Sequence, residues 1–382
     1  MTARRTALMA HGSAELYGSD RVFLESVTAL AEDGWDVVAT VPVTGPLVAE
    51  LERAGARVSV CPAPVLRKEA LRPSGFARLL GLARRSSGPM WHLLRVIDPD
   101  VVYVNTVTVP LWLAMARARR IPVVAHVHEA EDGVAKPVRV GLAAPLLAAD
   151  RVVVNSKATA EVVRNSLRRL SGRSTLVYNG VRGPGSPVAP AAAPQGPVRL
   201  LLVGRISPRK GTDIAVAALA LLRARGHDVT LDLVGSVFPG WEWFERQVRE
   251  AALAAGCDTA VRWRGFRAEV WQSYADADLA LVPSRIEPFG NTAIEAQLAG
   301  VPVVVSDAHG LPETVEDGRW GPVTAAGDAA ALADAIEEVL SDWAATATRA
   351  DKAREAAAER FSPERYRREI RTVVEATARR RT

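Results

Sequence analysis

Cysteine is nearly missing from this chain: Cys61 and Cys257 are the only two among 382 residues. Such a pair supplies neither a disulfide framework nor the clustered spacing of a zinc site. Long apolar runs are missing too. No stretch of about 18 uncharged apolar residues occurs, so no membrane span is expected. The opening MTARRTALMAHGS has two arginines but an apolar stretch of only four residues. That is too short for a signal peptide and reads better as a first strand. These absences make the cytoplasm the expected compartment. Aromatic residues are 5% of the chain, with no RNA-binding aromatic signature and no zinc-finger spacing. Nucleic acid is therefore not an expected partner, although the net charge is +5 and the pI about 9.5. The basic balance is open to two readings, affinity for phosphorylated small molecules or anionic lipid, and plain arginine-rich composition.

What is present is an alternation. The chain is 48% hydrophobic and 24% charged, as suits a large core, and its length suggests two domains of about 190 residues. Short apolar runs recur at Thr6–Ala10, Asp36–Val41, Arg57–Val60, Val101–Asn105, Pro122–Val127, Arg151–Asn155 and Thr175–Tyr178. Most are continuous, as parallel strands covered on both faces require. Amphipathic stretches such as Asp20–Glu32 and Ser156–Leu170 lie between them. A segment rich in Pro, Ala and Gly without charge, 183–197, reads as a linker. A second series then follows, with strands at Val198–Val203, Val229–Val234, Val261–Arg264, Leu279–Val282 and Val301–Val305. Helices are expected at Asp328–Leu340, Trp343–Arg360 and Pro363–Arg380. The expected fold is α/β: two Rossmann-like doubly wound domains, 1–182 and 198–362, with an interdomain ligand cleft at the carboxyl ends of the strands. The basic helix 363–382 is expected to pack back on the N-terminal domain.

Two motifs carry chemistry. In LLVGRISPRKG, Leu201 to Gly211, a strand ends and a helix begins. Gly204 permits a sharp turn, while Arg205 and Lys210 flank it. An anion there would meet backbone N–H groups, the positive helix end and two cations, which suits a diphosphate. An exposed basic loop is the alternative. The GxGxxG spacing of dinucleotide sites is absent. Gly235 and Gly240 have phosphate-loop spacing, but Trp241 stands where lysine is needed. In SRIEPFGNTAIEAQLAGVPVVVSD, Ser284 to Asp307, Pro288 and Gly290 mark a turn. Asn291 or Thr292 is the expected cap of the helix that follows, which Gly300 ends. Glu287 falls in the loop and Glu295 on the helix. Both carboxylates could accept paired hydrogen bonds from vicinal hydroxyls, and the N–H groups of Phe289 to Thr292 would face the same ligand. A capped helix with a solvated Glu295 is the alternative.

GRISPRKG, EPFGNTAIEAQLAGVPVVVSD and HGLPETVEDG, in this order and spacing, resemble the group-1 (family four) retaining glycosyltransferases of the two-Rossmann GT-B type. The resemblance runs strongly from Val198 to Asp317. It is weaker in the first half, through GSAELYGSDRVFLE, IPVVAHVHE and ADRVVVNSKAT. It implies that Arg205 and Lys210 hold a donor diphosphate and that Glu287 contacts the donor sugar. Phe289, Gly290, Asn291 and Thr292 would contribute backbone N–H groups, with Gly204 at the turn. Glu295 would bind the ribose, and Arg264, Gly265 and Phe266 would line the base. In the first domain Gly18 and Ser19 stand where the family often carries a glycine pair, Ser19 replacing the second glycine. His128 stands at a strand end where the family often has an active-site histidine. His126, two residues earlier, is expected on the opposite face of the strand. A zinc site from His126, His128 and Asp132 lacks a supporting cluster, and GT-B enzymes generally need no metal.

The resemblance thus implies transfer of a sugar from a nucleoside-diphosphate donor to a hydroxyl acceptor, with no cofactor beyond the donor. Cell-envelope polysaccharide or glycolipid assembly is the first expectation, and glycosylation of a secondary metabolite the second. A nucleotide-sugar epimerase and a non-catalytic nucleotide-sugar-binding protein are the rivals. A hydrolase using Glu287 and Glu295 would not need Arg205 and Lys210. Arg67, Lys68, Arg72, Arg78, Arg84, Arg85 and Arg95 fall among Leu71, Phe76, Leu79, Leu80, Trp91 and Leu94. That basic amphipathic segment suits an anionic membrane or a lipid-linked acceptor at its inner face, or an ordinary surface helix.

Overall fold

The structure, a computed structural model, describes residues 4–66, 73–129, 133–185, 193–238 and 240–378. The chain divides into two compact units, one of Met1–Gly180 with Pro363–Thr382, the other Val181–Ser362. Unit 1 runs β1 (Thr6–Ala10), α1 (Gly18–Glu32), β2 (Asp36–Val41), α2 (Pro46–Arg53), β3 (Arg57–Val60), α3 (Pro73–Ile97), β4 (Val101–Val104), α4 (Pro110–Ala118), β5 (Val123–Val127), α5 (Lys136–Ala143), β6 (Arg151–Val154), α6 (Lys157–Ser166) and β7 (Ser174–Leu176). Its parallel strands lie in the order β3-β2-β1-β4-β5-β6-β7.

Alternation along each strand divides the core between the sheet's two faces. Ala7 and Met9 of β1 join a cluster with Phe23, Val27 and Leu30 of α1. Leu8 and Ala10 join the opposite one, with Met90, Leu94 and Trp112. Both faces are covered, which explains the unbroken apolar runs of the sequence.

Unit 2 runs β8 (Val198–Val203), α7 (Thr212–Ala224), β9 (Val229–Val234), α8 (Glu242–Ala254), β10 (Val261–Gly265), α9 (Trp271–Ala275), β11 (Leu279–Val282), α10 (Asn291–Leu298), β12 (Val303–Ser306), α11 (Leu311–Thr314), β13 (Val323–Thr324), α12 (Ala329–Ser341) and α13 (Trp343–Arg360). Its order is β10-β9-β8-β11-β12-β13, again parallel. The winding direction reverses between β1 and β4 in unit 1 and between β8 and β11 in unit 2. Such switch points open a crevice beyond the strands' carboxyl ends.

The last helix, α14 (Pro363–Thr377), belongs to unit 1. Tyr366, Ile370 and Val374 repeat every four residues and are buried in the α1 side of its core. Arg367 binds Glu25 at 2.7 Å and Glu32 at 3.0 Å. Much of the sequence-derived linker and the last residues of the expected basic helix lie outside the described residues, as do Arg67, Lys68, Leu71, Arg72 and Asp132.

Candidate active site

At the switch point of unit 2, β8 ends at Val203 and Gly204 turns the chain with φ +149°. A single tight turn, Pro208–Lys210, leads to Gly211, which precedes α7 with φ +68°. A Cβ at Gly211 would lie 1.9 Å from the Pro283 carbonyl oxygen. Only glycine lets the β8–α7 loop press this closely on the β11–α10 loop. Arg285 ties the same loops together. Its guanidinium donates to both Asp213 carboxylate oxygens at 2.8 and 2.7 Å and to the Pro208 carbonyl at 2.8 Å, and its N–H donates to the Arg209 carbonyl at 2.7 Å.

Across this junction Lys210 Nζ meets Glu287 Oε2 at 2.5 Å, and Ser284 Oγ donates to the same oxygen at 3.3 Å. Lys210 and Glu287 are 77 residues apart, yet the β8/β11 adjacency brings them together. Arg205, the other cation of this motif, has its guanidinium 4.4 Å from the Phe238 ring centroid. Glu295, on α10, accepts from the Tyr274 hydroxyl at 3.2 Å. Gly265, with φ +69°, ends β10, and the Phe266 side chain after it is exposed.

One expectation changes at α10. The residue that precedes the helix is Gly290, and Asn291 and Thr292 are the first helical residues rather than caps. Gly290 has φ +117°, and a Cβ there would lie 2.4 Å from Leu311 Cδ2, so the position admits no capping side chain. The Phe289 ring is buried, edge-on to Phe361 with centroids 5.7 Å apart. It belongs to the core, which leaves only its backbone for a ligand.

At the switch point of unit 1, His11 follows β1 and Asn105 follows β4. His11 Nε2 is 2.6 Å from Asp20 Oδ1. Asp20 Oδ2 accepts from the Tyr17 N–H at 2.8 Å, which caps α1. Asn105 Nδ2 lies 3.2 Å from His11 Nδ1 and 3.2 Å from the Ser19 carbonyl. Asn105 Oδ1 lies 3.1 Å from His128 Nε2. Gly18 and Ser19 are thus the first residues of α1, and the Ser19 carbonyl is part of this cluster. Sequence reasoning singled out His128 but not His11, Asp20 or Asn105. The available signal was a polar residue just past each of two strands, at positions 94 residues apart.

His126 does not project to the opposite face. Its ring lies 4.0 Å from that of His128, because residues i and i+2 of a strand share a face. His126 Nδ1 is 2.6 Å from the Tyr103 hydroxyl. Burial, then repulsion from His128, lowers the His126 pKa well below the ordinary value. Burial and the nearby His11 push His128 down to about 3, against the opposing pull of Asp20. Glu129 accepts from the Thr106 hydroxyl and, at 3.0 Å, from the His128 N–H. Burial raises its pKa while those hydrogen bonds oppose the rise. Among the described residues no three His, Cys, Asp or Glu side chains cluster as metal ligands. No described helix is long and apolar enough to cross a membrane.

Comparison with known proteins identifies the lineage. The family model for glycosyl transferases group 1 matches residues 197–342, and that for glycosyltransferase family 4 matches residues 17–182. A D-inositol 3-phosphate glycosyltransferase of Nocardia farcinica is 31% identical over 321 residues, covering 78% of this chain and 67% of that protein. The glycogen synthase of Mycobacterium tuberculosis is 31% identical over 274 residues, 67% of this chain but only 64% of the relative's length. Among solved structures, Anabaena HepE in complex with UDP-glucose matches with a TM-score of 0.81 at 24% identity, over 97% of this chain and 99% of that one. At that identity the likeness concerns the fold alone. The chain belongs to the group 1, family 4 glycosyltransferases, and its two parallel-sheet domains are of the GT-B type.

Proposed function

We propose that this glycosyltransferase moves a sugar from a nucleoside-diphosphate donor to a hydroxyl acceptor with retention of anomeric configuration. The observation that carries the reading is the Lys210–Glu287 pair at the β8/β11 switch point. There a cation and a carboxylate stand side by side, close to the start of α10. The Lys210 ammonium suits a diphosphate oxygen and the Glu287 carboxylate suits sugar hydroxyls. Arg205 supplies a second cation, the first N–H groups of α10 a third positive end, and Glu295 an acceptor for ribose hydroxyls.

In the reaction the bond from the anomeric carbon to the β-phosphate oxygen breaks as the bond to the acceptor oxygen forms on the same face. The acceptor's proton passes to the departing phosphate oxygen. Negative charge grows on the diphosphate, where Lys210, Arg205 and the helix N-terminus stabilise it. Glu287 then positions the sugar and forms no bond to it. Because these cations take the role that a divalent ion would otherwise fill, turnover should survive a chelator. An acceptor class is supported by the relatives, one named for D-inositol 3-phosphate and another for glycogen synthesis. It is a polyol or sugar hydroxyl of a cell-envelope glycan or glycolipid precursor, free or lipid-linked.

Thermal-shift measurements against UDP, GDP, ADP and TDP test the donor side. One nucleotide should stand out, with a stabilisation of about 2.7 kcal/mol at a hundred times its Kd. With that donor sugar, Lys210→Ala and Glu287→Ala should each lower turnover about 100- to 1000-fold. Undiminished transfer by both variants would disprove the site assignment. Isomerised nucleotide sugar released without any acceptor would make the chain an epimerase.

A further inference from the structure

We infer that Asp20 and the Ser19 carbonyl, acting through His11 and Asn105, fix the proton on one ring nitrogen of His128 and leave the other as a hydrogen-bond acceptor. This rests on the transfer reading only in assigning that lone pair to a hydroxyl of a substrate.

The chain of contacts has four members, three of them almost wholly enclosed: His11 is 3% exposed, Asp20 1% and Asn105 0%. Its hydrogen positions follow from the two groups at its ends. The Ser19 backbone carbonyl can only accept. The Asn105 side-chain atom 3.2 Å from it is therefore the amide nitrogen, which settles the orientation of the amide. That same nitrogen lies 3.2 Å from His11 Nδ1, so Nδ1 holds a lone pair and accepts. His11 then carries its hydrogen on Nε2 and donates to Asp20 Oδ1 at 2.6 Å. The carboxylate, which can also only accept while ionised, agrees with this from the opposite end. The remaining Asn105 atom is the carbonyl oxygen, 3.1 Å from His128 Nε2. Nε2 must donate to it, so neutral His128 has its lone pair on Nδ1.

Burial favours the neutral ring of His128 in any case. It does not choose between the tautomers, whereas the relay does. Asp20, His11 and Asn105 are positioning residues in this scheme, since none of them needs to touch substrate. The lone pair on Nδ1 can accept a hydrogen bond from a hydroxyl, and an N–H there would repel that hydroxyl's proton. The other ionisable groups around His128 are the neighbouring His126 ring and the Glu129 carboxylate. Neither contacts Nε2 among the described hydrogen bonds, so neither competes with Asn105 for that nitrogen.

The test is a long-range 15N–1H spectrum of the full chain labelled at histidine, at neutral pH. The chain has six histidines, and His11→Gln and His128→Gln assign the two that matter. Both are expected as the Nε2–H tautomer. In Asp20→Asn the new amide can donate to His11 Nε2, which sets that end of the relay against the Ser19 carbonyl and weakens the bias at His128. His128 should then shift toward the Nδ1–H form, and kcat should fall about 10- to 100-fold with little change in donor KM. An Nδ1–H or doubly protonated His128 in the unsubstituted chain would overturn the relay, whatever the stability of the variant. So would an unmoved His128 tautomer in folded Asp20→Asn. If the unsubstituted chain has the expected tautomers but transfers no sugar, the relay stands and the transfer reading fails.

Discussion

Gly211 shows how much one residue can fix. Its φ of +68° already disfavours a side chain, at about 1–2 kcal/mol. The Pro283 carbonyl 1.9 Å from an ideal Cβ adds a backbone collision. Gly226 is a natural control, with φ +92° and nothing within 4 Å of its Cβ. Urea unfolding should therefore separate the two. Gly226→Ala is expected to lose about 1 kcal/mol, and Gly211→Ala clearly more. Gly211→Ala should also weaken nucleotide binding, because Lys210 stands one residue away. Equal losses would mean that the loop junction yields and does not position Lys210. At this scale the sequence was legible where a position depends on its own loop, as with the turn at Gly204 or the placing of Glu287 between a strand and a helix. It was illegible where chemistry depends on strand order. Nothing local to His11 points to Asn105, and only the placing of β4 beside β1 joins them. Arg285 was passed over for the same reason, since its partner Asp213 lies on a helix 72 residues earlier.

Among the elements, α14 carries an apolar stripe inside a basic composition. Its sequence reads as a basic helix that packs back on the N-terminal domain, and its buried stripe of Tyr366, Ile370 and Val374 belongs to unit 1. The Tyr366 hydroxyl is 2.6 Å from Ser26 Oγ, which also contacts the Tyr103 hydroxyl at 3.1 Å. Ile370→Ala should cost about 2–5 kcal/mol by opening a cavity, whereas Arg368→Ala, on the exposed side, should stay within about 0.5 kcal/mol. Denaturant midpoints of the two variants decide this, and similar small effects would detach α14 from the core. Central strands were the most readable elements, because burial on both faces makes them nearly continuous apolar runs. β13 escaped notice because it is only Val323–Thr324, too short for any periodicity. α3 appeared only as a basic amphipathic segment, and its internal Pro89 and its glycines obscure the helical pattern. The misjudged cap of α10 has a similar origin. Asn and Thr are the usual caps, and the φ of +117° that favours glycine at position 290 is invisible in the local sequence.

For the whole molecule, the buried His126 and the half-buried His128 make stability depend on pH. His128 is held down to about 3 and His126 is also lowered, both chiefly by burial. Free histidine titrates near 6.5, so below that pH the unfolded chain binds protons that the folded one refuses. Stability is then fully present above about pH 6.5 and falls as the pH drops toward the folded values. Each ring contributes a slope approaching about 1.4 kcal/mol per pH unit. Glu129 acts in the opposite sense. Its raised pKa means that the folded chain holds a proton the unfolded one releases, which favours the fold as pH falls through its folded pKa. One carboxyl against two imidazoles leaves a net loss on acidification. Denaturation midpoints should therefore fall steadily from pH 7 to pH 5, and His126→Gln should reduce the slope by about half of the histidine contribution. A flat profile in the unsubstituted chain would mean that one or both rings take up a proton without unfolding. For His128 that would break the Nδ1 acceptor on which its proposed contact with a substrate hydroxyl depends.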